Sequence, residues 1–144
     1  MLRGWRLSIQ INPFGKVKGW SSILHATIGK NHGRNGDRTP GIWFHSLTTK
    51  LYICSAVSGN PNLCVTTNPI PMHKFTTVVV QQLQVSHNHQ YYYQIFVGGK
   101  RVKYIINEKP QTFQNVKYYA SDPWFPSAKA TIRHFNLAMY KHKG

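Results

Sequence analysis

The stretch of residues 89–107, HQYYYQIFVGGKRVKYIIN, constrains the chain more than any other. It reads as two strands joined by Gly98-Gly99, a pair that supplies the positive φ angles of a two-residue hairpin turn. A hairpin centred there sets Ile95 opposite Val102, Tyr93 opposite Tyr104 and Tyr91 opposite Ile106. Successive strand residues point to opposite sides, so these six share one face, the expected core face. The other face carries Tyr92, Gln94 and Phe96 opposite Ile105, Lys103 and Arg101, which sets aromatic rings beside cations.

The rest of the chain repeats the strand signal. Trp5, Leu7, Ile9 and Ile11 alternate with Arg6, Ser8, Gln10 and Asn12, the pattern of a half-buried strand. Residues 20–28 form a second strand, with Leu24, Ala26 and Ile28 on one side and Ser21, Ile23, His25 and Thr27 on the other. Further strands are expected over 41–46, 50–57, 62–67, 75–85 and 116–120, and a last one over about 128–140. Val78-Val79-Val80 is a run expected to be covered on both sides. In the last strand the apolar phase slips between Ile132 and Phe135, which predicts a bulge near Arg133-His134. No segment sustains a 3.6-residue period, so the expectation is a single all-β domain over residues 1–144, an antiparallel sandwich or barrel.

Charge is the loudest compositional fact: 18 Lys and Arg stand against 3 acids, a formal net charge of +15. Such a chain attracts polyanions at long range, in a salt-sensitive way. Sulfated glycans, nucleic acid, anionic lipid and acidic proteins are the partner classes this admits. No apolar run approaches the roughly 18 residues that span a bilayer. The N-terminus shows no signal-peptide apolar region, so a secreted protein would have lost its leader.

Cys54 and Cys64 lie symmetrically about Gly59 in SAVSGNPNL, where a hairpin would bring them together. A disulfide is expected there, and with it an oxidising compartment; two buried thiols are the alternative.

The order of motifs resembles the concanavalin A-like jelly-roll superfamily, which includes laminin G-like, pentraxin-like and legume-lectin-like domains. WRLSIQIN with GWSSILHATIG, GDRTPGIWF with KLYICSAVSGN, FTTVVVQQLQV with QYYYQIFVGGKRV, and the closing FQNVKYYASDPWFPSAKATIRHFNL carry the likeness over nearly the whole chain. The resemblance implies an antiparallel jelly-roll sandwich of the kind found in small secreted animal modules. It leaves function open, since the superfamily hosts lectins, glycosaminoglycan binders, adhesion modules and glycanases.

Glycanase chemistry needs two carboxyl groups flanking the scissile bond. Asp37, Glu108 and Asp122 are the only acids, and each falls in a predicted loop or turn, so no enzyme activity is expected. Calcium sites of the superfamily draw several carboxylate oxygens, and Asn31, Asn35, Asp37 and Asp122 make a poor set. Asp37 is expected instead to pair with Arg38 or cap its own loop, and no metal or cofactor is expected. His87 and His89 face one side of a strand but lack a third ligand.

Aromatic and basic interleaving is the functional lead, because sugars stack on rings while Arg and Lys hold sulfates or phosphates. The ligand-binding candidates are Tyr92, Phe96, Lys100, Arg101 and Lys103 on the hairpin, and Arg34, Arg38 and Asp37 in the long loop of residues 29–41. Trp124, in a Pro-bounded loop, completes the set. Packing beneath a neighbouring element would account for Tyr92 and Phe96 as well, and closing the core rim for Trp124. The hairpin face ranks first. The expectation is an extracellular carbohydrate-binding module favouring acidic or sulfated glycans. A structural or adhesive protein binding copies of itself or matrix proteins is the alternative, and nucleic-acid binding, resting on charge alone, comes third.

Overall fold

The computed structural model describes residues 1–85 and 87–141. Its strands are β1 (Gly4–Pro13), β2 (Ser21–Thr27), β3 (Gly41–Phe44), β4 (Lys50–Val57), β5 (Asn60–Pro69), β6 (Thr76–Gln84), β7 (Tyr91–Val97), β8 (Lys100–Asn107), β9 (Lys117–Tyr119) and β10 (Ala130–Tyr140). They make two five-stranded antiparallel sheets, ordered β10-β1-β6-β7-β8 and β5-β4-β3-β2-β9. This is the jelly-roll sandwich expected from the sequence.

The alternation of β1 does what a period of two dictates: Leu7, Ile9 and Ile11 enter the core while Arg6, Ser8 and Gln10 stay outside. Val78 and Val80 of β6 and Tyr93 and Ile95 of β7 join them. Leu24, Ile42, Phe44, Leu51 and Ile53 answer from the second sheet. Each such side chain contributes about 1.5–3 kcal/mol on leaving water. The Tyr93 hydroxyl crosses the core and donates to Ser55 Oγ at 2.9 Å, and full burial pushes that phenol's pKa far up.

Register shifts interrupt several strand pairs, and three of them bear on the sequence reading. In β10, Ser8 pairs with Asn136 but Gln10 pairs with Arg133, so the slip expected near Arg133-His134 is present. In β2, the register shifts between Ser22 and Leu24, which lets both Ile23 and Leu24 enter the core instead of facing opposite sides.

The third corrects the hairpin. Gly98 and Gly99 turn it with φ of 59° and 81°, and Phe96 pairs with Arg101 as expected. Val102 is then an extra residue, so Ile95 meets Lys103, Tyr93 meets Ile105 and Tyr91 meets Asn107. Tyr104 and Ile106 consequently face outward beside Tyr92, while Lys103 and Ile105 turn toward the sandwich interior. Asn107 supplies the physical reason. Buried on the inner side, its amide donates to Gln82 Oε1 at 2.5 Å and its oxygen accepts from the backbone N–H of Ser58 and Lys109. A regular hairpin would point Asn107 outward and lose those bonds.

Candidate functional site

The outer face of the second sheet is built by the same alternation that fills the core. In β3 and β4, Ile42, Phe44, Leu51 and Ile53 go inward, so Gly41, Trp43, Tyr52 and Cys54 go outward. Register aligns them across strands: Trp43 beside Tyr52, Tyr52 beside Thr66, and Gly41 beside both His25 and Cys54. The Trp43 indole covers Gly41, where a Cβ would fall 2.0 Å from a ring carbon. Its Nε1 donates to Asp122 Oδ2 at 3.3 Å.

Trp20 leans onto this platform from the segment before β2, its ring 4.7 Å from Tyr52 and 4.4 Å from His45. Phe125 closes the other side, 6.0 Å from Trp43. Its loop is pinned by Asp122, whose Oδ1 accepts from the N–H groups of Trp124 and Phe125 at 3.0 and 2.9 Å. Asp122 Oδ2 also lies 2.8 Å from Nδ1 of the fully buried His25. His25 Nε2 in turn donates to the Asp37 carbonyl, which can only accept.

Arg38 sits over the platform with its guanidinium 4.7 Å from the Trp43 ring centre. Nε donates to Asn31 Oδ1 at 3.1 Å and Nη1 to Asn62 Oδ1 at 2.9 Å. Two amide oxygens thus fix the plane of the fork and leave Nη2 uncommitted among the described residues. Burial lowers its pKa from the ordinary 12.5, partly offset by Tyr52, Asp37 and Asp122. It nevertheless stays cationic at neutral pH, with no carboxylate in contact among the described residues. Trp20, Arg38, Trp43, Tyr52 and Phe125 line an open cavity of about 170 Å³. Beside it His45, bonded to Thr66 Oγ1 at 3.0 Å, has its pKa lowered by partial burial and by Lys50.

The structure divides the sequence-derived candidates. Arg38 lies in the groove. Trp124 packs at its rim against His25 and Tyr119, with ring centres 5.4 and 5.9 Å away. Arg34 is exposed on the loop. Asp37 is buried, and its Oδ2 accepts from the N–H groups of His32 and Arg34, so it caps its own loop and presents nothing to a ligand. Tyr92, Phe96, Lys100 and Arg101 lie on the opposite sheet, and Lys103 leaves their face through the bulge. Cys54 and Cys64 face each other with Cα atoms 4.1 Å apart and are disulfide-bonded, at the groove's edge beside Asn62.

Trp20, Trp43, Tyr52, His45 and Asn62 escaped the sequence reading. One signal was available: Leu51 and Ile53 as core residues oblige Tyr52 to face the other way.

No protein-family model matches the sequence, and a comparison with curated proteins finds no match. Solved structures do match in fold. Sheep galectin-11 in complex with glycerol is 14% identical with a TM-score of 0.54, over 96% of this chain and 92% of that one. A Trypanosoma rangeli sialidase in complex with 2,3-difluorosialic acid is 15% identical with a TM-score of 0.64, over 93% of this chain and 20% of that one. The botulinum neurotoxin type C structure, described by its interaction with two ganglioside molecules, is 14% identical with a TM-score of 0.58. It is matched over 97% of this chain and 33% of that one. The chain therefore spans nearly all of the galectin but a minor part of the sialidase and the toxin.

Proposed function

On a concanavalin A-like, galectin-like sandwich carrying this groove, we propose that the protein is a non-enzymatic, extracellular carbohydrate-binding module that prefers acidic sugars. The observation that carries the reading is Arg38: a half-buried, pre-oriented guanidinium among Trp20, Trp43 and Tyr52, without a carboxylate partner. A sugar ring offers an apolar face to such rings, and its carboxylate or sulfate completes the charge-assisted pairing of the fork. Glycan-related ligands in the neighbours (a sialic acid derivative in the sialidase, gangliosides for the toxin) agree with that choice. The non-enzymatic reading is supported by the acids: Asp37 and Asp122 are consumed in loop capping and the His25 contact, and two free carboxyl groups are what glycoside hydrolysis needs. The disulfide suits an oxidising, extracellular setting.

A glycan array, followed by calorimetry on the best ligand, tests this. Sialylated, uronic-acid or sulfated glycans should outrank their neutral counterparts. Arg38→Ala should weaken binding at least about tenfold, with Arg38→Lys intermediate because it keeps charge but not the fork. Trp20→Ala should weaken acidic and neutral sugars alike. Unchanged affinity in Arg38→Ala would remove the groove from consideration.

A second reading, self-assembly or adhesion, is favoured by edge strand β10, which exposes Phe135, Met139 and Tyr140. Light scattering that shows mass rising with concentration, and falling after Met139→Lys, would support it.

A further inference from the structure

The outer face of the first sheet carries a second arrangement of cations, on the opposite side of the sandwich from the groove. Cross-strand register builds it in rows. Arg6, Gln81, Gln94 and Tyr104 lie side by side, as do Ser8, Val79, Phe96 and Arg101, and Arg133 lies beside Gln10 and Thr77. Strands are about 4.8 Å apart, so from Arg133 on β10 to Arg101 on β8 the face spans about 19 Å. A shallow trough of about 930 Å³ opens on it, bordered by Arg6, Lys74 and Lys100.

Two of these cations are held in place. The Arg133 guanidinium rests 3.6 Å from the Phe75 ring centre, and its Nε donates to Gln10 Oε1 at 2.7 Å. The Arg101 guanidinium rests 4.5 Å from the Tyr104 ring centre, and Tyr104 is itself stacked on Tyr92 at 5.2 Å. A guanidinium lying flat on a ring keeps its N–H edge free for an anion. Among the described residues no carboxylate serves them. Asp37 and Asp122 are buried at the other sheet, where Asp122 is taken up by His25, and Glu108 lies past the end of β8, lining a different cavity with Arg3.

We propose that this face is a separate binding surface for a linear sulfated polysaccharide. The cations are spread over a surface wider than one sugar, which suits a chain carrying anions at intervals. Single-stranded nucleic acid would need open aromatic faces for its bases. Here Phe75 and Tyr104 each have a guanidinium over the ring and Tyr104 is stacked on Tyr92, so the face offers Phe96 but no row of open rings. The surface does not depend on the groove reading, since it shares no residue with it.

The probe is a heparin dodecasaccharide, followed by calorimetry and, in parallel, by tryptophan emission. Trp20 and Trp43 line the groove, Trp124 sits at its rim and Trp5 is in the core, so the proposed face holds no tryptophan. Arg6→Gln/Arg101→Gln/Arg133→Gln should bind at least about tenfold more weakly. Lys16→Gln/Lys18→Gln/Lys117→Gln, equal in net charge but elsewhere, should stay within about twofold. Lys74→Gln/Lys100→Gln touches only exposed side chains and should weaken binding even if the arginine triple fails to fold. Equal losses in face and control variants would overturn the proposal by reducing it to net charge. Emission that tracks the whole isotherm would overturn it by moving the polysaccharide to the groove. Equal affinity for a single-stranded oligonucleotide of matched charge would overturn the ligand class.

Discussion

Trp43 and Gly41 form the tightest residue-level dependency in the molecule. The indole occupies the space a side chain at position 41 would need, and in that pose it reaches Asp122. Gly41→Ala is therefore expected to cost about 1–3 kcal/mol and to alter tryptophan emission, measurable by thermal unfolding and fluorescence. Acid–base behaviour adds a second expectation at this scale. The pKa of His45 is lowered from 6.5, by partial burial first and Lys50 second, so the ring is neutral at pH 7. The unfolded chain then takes up the proton first, and the group opposes folding as pH falls below the unfolded value. An acidic ligand reverses the local field, since Tyr52 and Lys50 are the titratable groups facing the ring and neither supplies negative charge. Affinity for an acidic saccharide should rise as pH falls toward the lowered pKa of His45, where the ring takes up its proton. His45→Gln should flatten that rise in a calorimetric pH series. Little of this was legible in the sequence. Asp122 before Pro-Trp-Phe is a readable cap for its own loop. Its contact with His25, 97 residues away, follows from the sheet arrangement alone.

At the scale of elements, legibility depended on whether the two faces of a strand differ. β1 has one apolar face and was read residue by residue. β10 has an apolar phase that visibly changes, so its bulge could be located. β8 offers Val102, Tyr104 and Ile106 in the phase of a core strand, and Ile105 in the other. Period alone cannot choose between registers when both faces are apolar. Asn107, the inward amide that decides the matter, finds its partners on β6 and in the β4–β5 turn, neither of which the hairpin sequence contains. That one-residue shift also moved Lys103 out of the candidate site. The β4–β5 hairpin shows the opposite outcome. Ser58 and Gly59 turn with φ of 51° and 81°, and a slip between Ser55 and Val57 restores the symmetry about Gly59 that aligns the cysteines. Native protein should accordingly show no alkylatable thiol by intact mass. Reduction, or Cys54→Ser/Cys64→Ser, should lower stability by about 2–3 kcal/mol in urea unfolding.

For the molecule as a whole, the distribution of acids matters as much as the excess of bases. With two of three carboxylates committed inside loops, no group of three His, Cys, Asp or Glu side chains among the described residues is placed to hold a metal ion. Treatment with EDTA should leave the melting temperature unchanged within error, and a fall of several degrees would show a cation bound elsewhere. The overall architecture was the most legible level of all, because ten short period-two runs in a chain of 144 residues admit few arrangements other than two stacked sheets. Which residues gather on each outer surface depended on register and could not be read the same way. Those two surfaces are turned away from each other, the aromatic groove on one and the arginine rows on the other. If both surfaces hold polysaccharide as proposed, the protein would act as a bridge: a chain held on one side could not also lie on the other without wrapping round an edge, so a second chain would be recruited. Mixtures with a long polysaccharide bearing both sulfate and carboxylate should turn turbid at intermediate ratios and clear again when either component is in excess, as tethering multiplies weak contacts. Arg38→Ala should abolish the turbidity maximum while leaving single-chain capture in place.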